Sequence, residues 1–191
     1  MSPRCLSVMM KDMIRPETLF AEQTDTLSRP LEHLKACHRR IEERLDTLER
    51  IAAHIGTNRE EAVEALHRVF AFLDSSGVLH TADEEESVFP RLAPRLERAE
   101  MSFVAGLEHD HTTAHQLYAE LRQLAAEQDF GPVFQGLIER LVAHYRQHIA
   151  KEDEVLDSLC REKLTPPELA EISVEMMARR RPTEPNPHHS R

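Results

Sequence analysis

The chain has 191 residues, enough for one domain with a real core plus tails. Its 34 acidic residues against 24 lysines and arginines give a net charge of -10, which excludes the clustered cationic surface that nucleic acid or anionic lipid requires. Five glycines, no tryptophan and two tyrosines, with leucine, alanine, glutamate and arginine abundant, point to an all-helical chain.

Residues 1–27 hold no sustained period and read as a flexible N-terminal arm, with Leu19, Phe20 and Leu27 able to pack on the domain. Their opening, "MSPRCLSVMMKDMIRPETLF", lacks the apolar stretch of a signal peptide, and no run of about 18 apolar residues exists to span a membrane. The first helix is expected to open at "SRP", with Ser28 as cap and Pro30 in the first turn, and to close at Gly56. Its stripe, Leu31, Leu34, His38, Ile41, Leu45, Leu48, Ala52 and Ile55, alternates steps of three and four. The second begins near Asn58 and carries Val63, Leu66, Phe70, Leu73, Gly77, His80, Glu84 and Val88, with "DSSG" at 74–77 expected to bend or break it. The third, from Ser102 to about Gln128, carries Val104, Leu107, His111, Ala114, Tyr118, Leu121 and Ala125, with His115 beside Ala114. After Gly131-Pro132 the fourth carries Leu137, Leu141, Tyr145, His148, Glu152, Val155 and Leu159. A short extra helix follows Thr165, where a cap, two prolines and an early glutamate occur together, and "RRRPTEPNPHHSR" ends in a tail that prolines keep from being helical.

Four helices with short connections fold back on one another. The expected architecture is therefore all-α: an antiparallel up-down-up-down four-helix bundle over 28–163, a C-terminal helix over 164–181 and a disordered tail over 182–191.

Every one of the four stripes is interrupted by histidine, and two also by a carboxylate. An ionised glutamate buried without a partner costs several kcal/mol, so something must compensate. Depth points to a shared site: His38 lies about 8 residues, roughly 12 Å, from the start of its helix, and His80 with Glu84 centre about as far before Pro90. His111 sits about 9 residues into the third helix, while His148 and Glu152 agree less closely, roughly 15 to 20 Å from the end of theirs. Imidazoles suit iron, zinc and copper, and carboxylates neutralise and bridge cations. His80/Glu84, His111/His115 and His148/Glu152 are each spaced i, i+4, which puts both members on one face. Five histidines and two acids exceed what a single tetrahedral zinc needs and suit two ions. Ferritin-like carboxylate bundles use Glu-x-x-His at i, i+3 instead, so that class is disfavoured.

At these residues the chain resembles the hemerythrin-like, or HHE cation-binding, domain family. "HTADEEESVFPRL" at 80–92 and "YRQHIAKEDEVL" at 145–156 are similar to that family's second and fourth helix motifs. "CHRRIEERLDTL" from 37 and "DHTTAHQLYAEL" from 110 are similar to the first and third, and the likeness spans about 28–163. The resemblance implies metal ligands at His38, His80, Glu84, His111, His148 and Glu152, with His115 completing a His-x-x-x-His. It makes Glu84 and one acid of the fourth helix bridging groups: Asp153 by the spacing of oxygen carriers, Glu152 by that of many bacterial relatives. Glu152 is preferred because Asp153 is turned about 100° from the inward stripe. The implied cofactor is two non-haem iron ions in a di-iron centre. The implied role is binding dioxygen or a related small diatomic ligand, for oxygen binding or sensing or for iron and redox homeostasis.

The alternative is a di-iron enzyme or repair protein that handles nitric oxide or peroxide or donates iron to iron-sulfur clusters. A metal-free interaction bundle is the third reading. No regulatory domain is visible, so a sensor would need a protein partner or a homo-oligomer as its output. Phe70, Leu107, Tyr118 and Leu141 are candidate walls of the ligand pocket.

The remaining polar residues read as structural. His33, His54, His67 and His109 lie beside the stripes and belong to surface or flank, while His144, a turn before His148, can support it. Asp83, Glu85, Glu86 and Glu154 form a mostly solvated acidic face, with Glu85 and Glu86 able to brace ligands. Arg179, Arg180 and Arg181 read as a solvated helix end. Cys37 reads as a small buried or flanking thiol. Three cysteines (Cys5, Cys37, Cys160) without CxxC spacing give no disulfide framework and favour a reducing cytoplasm.

Overall fold

A computed structural model of the chain describes residues 26–181, which are helical apart from short connections and contain no strand. The expected arm lies outside the described residues except for Thr26 and Leu27, and the expected tail at 182–191 lies outside them entirely.

The first rod is α1 (Pro30–His54), with Pro30 in its first turn and Glu32 favouring the positive end of its dipole. Arg29, not Ser28, occupies the capping position. The second rod is composite. It runs from α2 (Arg59–Phe72) through a π turn at Leu73–Gly77 into α3 (Val78–Asp83), then through a second π turn at Glu84–Val88 into α4 (Phe89–Leu92). The bend expected at "DSSG" is thus a widened turn that the helix passes through unbroken.

The third rod is α5 (Arg98–Ala126), which begins four residues earlier than expected. It opens on a reciprocal cap between Glu97 and Glu100, a pairing that lacks the usual serine or threonine signal. The fourth is α6 (Pro132–Lys151), a π turn at Glu152–Leu156 and α7 (Asp157–Lys163). The extra helix α8 (Pro166–Arg179) starts where expected, with Thr165 and Glu168 forming its capping box.

Packing of α1 on α2 and α6, and of α5 on α6, makes a helical bundle. Its interior is two apolar cores rather than one. Leu45, Leu48, Leu66, Leu121, Phe134, Ile138 and Leu141 fill the first, and burial of each contributes about 1.5–3 kcal/mol. Leu31, Val88, Leu92, Leu107 and Leu156 fill the second, together with Ile172 and Met176 from α8. The interrupting histidines and glutamates lie in the layer between them.

α8 lies over α1, α3 and the turn at 84–88. Glu168 meets Arg95 at 2.7 Å, Glu175 meets Arg91 at 2.7 Å, and Arg180 meets Asp83 at 2.6 Å. Numbers fall along the second rod as they rise along α8, so the two run antiparallel. This docking corrects three expectations. Asp83 is fully buried rather than solvated, and Arg179 and Arg180 are its partners rather than a free helix end. His33 is buried rather than on the flank, on the helix against which α8 packs; its Nδ1 lies 3.1 Å from the Thr26 hydroxyl and its Nε2 3.5 Å from Cys37 Sγ. Among the described residues no helix is long and apolar enough to cross a membrane.

Candidate metal centre

All four rods contribute to the polar layer. His38 comes from α1, His80 from α3, His111 from α5 and His148 from α6, while Glu84 and Glu152 each open a π turn. All six are buried. π turns favour functional positions because the wider ring re-aims a side chain without ending the helix.

The six form two overlapping sets of four donors, each with its donor atoms within 4.8 Å of one another. One set is His38, His80, Glu84 and Glu152; the other is Glu84, His111, His148 and Glu152. Both carboxylates belong to both sets, and each divides its oxygens between them. Glu84 turns Oε1 toward His80 Nε2 at 3.6 Å and Oε2 toward His111 Nε2 at 3.4 Å. Glu152 turns Oε2 toward His38 Nε2 and Oε1 toward His148 Nε2, each at 3.2 Å.

The outer nitrogens of two of these rings are braced by acids. His38 Nδ1 lies 2.8 Å from Asp153 Oδ1, and His111 Nδ1 lies 2.8 Å from Glu85 Oε1. His148 Nδ1 faces Asp110 Oδ2 at 3.6 Å, and Asp110 is itself held by Lys151 at 2.7 Å. His144 donates from Nε2 to the Asp110 carbonyl at 2.8 Å, so it supports the same corner. Beside His80 lies Cys37, whose Sγ accepts from Arg40 at 2.9 Å. Burial raises this thiol, but His33 and His80 outweigh it and bring it down to about 5.

Such bracing places the proton of His38 and of His111 on Nδ1 and points their Nε2 lone pairs inward, whereas Nδ1 of His80 and of His148 is buried without a hydrogen-bond partner. Both oxygens of Glu84, both of Glu152, and Nε2 of His38 and of His111 are then buried without a hydrogen-bond partner. Lone pairs that face one another in a dry interior need positive charge between them. Protons are one source. Burial lowers the His38 pKa, yet Asp153, Glu152 and Glu84 outweigh it and raise it to about 12. His111 is likewise lowered by burial and raised on balance to about 9, chiefly by Glu84. Burial pushes Glu84 up, while His80, His111 and His38 hold it well below the usual carboxylate range. Metal cations are the other source, and the donors, two imidazoles and two shared carboxylates per set, fit them.

Against the first set lies a cavity of about 10 Å³, lined by Leu31, Leu34, Leu156 and Cys160 beside His38, Glu84 and Glu152. It holds about one water-sized molecule. At its mouth Lys35 meets Asp157 at 3.0 Å. The expected walls Phe70, Leu107, Tyr118 and Leu141 do not line it. Phe70, Tyr118 and Leu141 belong to the first apolar core, and Leu107 to the second.

The structure brings together six of the seven residues proposed as ligands. His115 is exposed and belongs to neither donor set, because Ala114 takes the inward position on α5. Asp153 stands behind His38 instead of among the donors. The bracing role of Asp153 carried no sequence signal beyond its place next to Glu152; Glu85 has the same relation to Glu84.

Fold and site together define a class: a helical-bundle protein with a buried histidine-carboxylate cluster able to hold metal cations. The family follows from comparison. A family model described as the Hemerythrin HHE cation binding domain matches residues 29–159, and the chain belongs to that family. A search of curated proteins returned no match. α8 begins beyond the matched residues.

Proposed function

We propose that the chain is a non-haem di-iron protein that binds dioxygen or a related small ligand, for oxygen binding or sensing or for iron and redox homeostasis in the cytoplasm. The observation that carries this reading is the division of Glu84 and Glu152, each with one oxygen toward either histidine pair. A single cation would leave half of those oxygens unserved. His38 and His80 would hold one iron, His111 and His148 the other, with both acids shared; His115 stays outside. The antiparallel up-down-up-down order of the rods belongs to the same proposal and is supported by their short connections.

Bound iron supplies a redox couple and an open coordination position for a small ligand. The chain supplies the rest. Asp153 and Glu85 hold the His38 and His111 rings through Nδ1 and keep their Nε2 available for coordination, and Asp110 faces His148 with its charge. Leu31, Leu34 and Leu156 keep the space beside Glu84 and Glu152 dry and too small for anything much larger than a diatomic molecule. The test is metal analysis of anaerobically prepared protein followed by exposure to air. About two irons per chain and a charge-transfer band that grows in air and fades under argon are expected. One iron or none, or a band indifferent to oxygen, would overturn the proposal.

A further inference from the structure

The groove that α8 occupies continues past its end, and there no described residue covers it. Along α1 one side of the helix runs His33, Cys37, Arg40, Arg44, Thr47, Ile51, in alternating steps of four and three. Its first members are buried where α8 packs on α1. From Arg44 onward the same side faces a cavity of about 780 Å³ between α1 and α2, floored by Ile51, Ala62, Val69 and Phe72. α8 runs toward this space, since its last arginines reach Asp83, about 11 residues or roughly 16 Å along the rod from Phe72. From Asn58 to Phe72 the open stretch spans about 21 Å, the length of a helix of about 14 residues. α8 has 14 residues.

The chemistry of the open half repeats that of the covered half. α8 buries Ile172 and Met176 while its glutamates meet arginines of the bundle, Glu168 on Arg95 and Glu171 and Glu175 on Arg91. The open half likewise sets an apolar floor below three arginines, Arg44, Arg50 and Arg68, on a chain whose net charge is -10. Arg44 lies over the Phe72 ring at 4.9 Å and meets the exposed Glu43 at 3.6 Å, and Arg68 pairs with its neighbour Glu64, so Arg50 carries the unpaired charge among the three. Arg50 bonds the Thr47 hydroxyl at 3.0 Å and meets no carboxylate among the described residues. Glu61, an acid at the far end, is held by Asn58.

We infer that this groove docks an amphipathic helix of a partner protein, one with an apolar stripe at i, i+3, i+4 and i+7 flanked by glutamate or aspartate. α8 is the intramolecular precedent for that mode of binding. The arginines select the sign of the partner's charge and speed its encounter, and the floor supplies the buried area. None of the groove's lining residues belongs to the cation cluster, so the inference stands independently of the metals.

Fluorescence anisotropy on the full chain tests it, with a labelled peptide as long as α8 carrying a leucine stripe flanked by glutamates, and a lysine-flanked counterpart. The glutamate peptide should bind, and the lysine peptide should not. Arg44→Glu, Arg50→Glu and Arg68→Glu combined should weaken binding by about tenfold or more and invert the preference. Ala65→Trp, which fills the groove without changing charge, should abolish binding while the melting curve stays two-state. Equal binding of the two peptides, or binding indifferent to both variants, overturns the inference. A photo-crosslinker replacing Thr47 reports other occupants. Adducts with residues 1–25 or 182–191, or with a second copy, would mean that the groove is already filled and would also overturn it.

Discussion

Asp83 and Glu84 are adjacent, lie on one helix and are both wholly buried, yet the protein treats them in opposite ways. Asp83 faces outward from the bundle into α8, where Arg179 and Arg180 meet its two oxygens at 2.6 to 3.0 Å. Glu84 faces inward and finds imidazoles at 3.4 to 3.9 Å, with neither oxygen hydrogen-bonded. Where charge neutralisation is structural, the chain carries its own cations. Where it leaves two carboxylates and four imidazoles open in a dry layer, the counter-charge comes from outside, as metal or as protons.

A matched pair of substitutions is the severest test of that contrast. Glu84→Leu should abolish binding at both positions, taking iron from about two per chain to near zero, and its cost to the metal-free chain should shrink as pH rises, because His111 loses the acid that chiefly keeps it charged. Asp83→Leu should do the reverse: iron retained, and stability to urea reduced by about 3 kcal/mol, because two arginines lose their buried partner. Should both variants lose metal equally, the distinction between the two acids fails.

Smaller effects sharpen it. Asp153→Asn should lower metal affinity about 10- to 100-fold, read by competition with a chelator, because His38 loses the acid that orients it. pH should then separate the two sources of counter-charge. In the metal-free chain His111 is held at about 9, above its ordinary value, so its imidazolium contributes stability fully below about pH 6.5, and that contribution is lost as pH rises through about 9. Metal needs the neutral ring, so affinity should rise across the same window in which metal-free stability falls. Urea midpoints with and without metal at both ends of the window check both slopes. His115→Ala should leave iron content unchanged, as its side chain is exposed.

The inward stripes were legible because helical periodicity marks residues that face a core, and a histidine on such a stripe stands out. His38, His80, Glu84, His111, His148 and Glu152 stand out in the sequence for that reason. Periodicity says nothing about a helix packed on the outside, so Asp83, His33 and Arg180 looked solvated until α8 covered or met them. It also assigned Phe70 and Tyr118 to a ligand pocket, since a stripe does not reveal that a polar layer divides one core from another. At His115 motif and period disagree: neighbouring positions differ by about 100°, and Ala114 is the one that is buried while His115 is exposed.

The three π turns have a consequence for anyone wishing to move this site elsewhere. Each takes up an additional residue, so the greasy face below Glu84 and Glu152 is out of step with the face above. A His-x-x-x-Glu pair grafted onto straight, idealised helices would keep its own spacing yet rotate Val88, Leu92 or Leu156 away from the scaffold's interior. A successful transplant would have to copy the irregular turn along with the ligands.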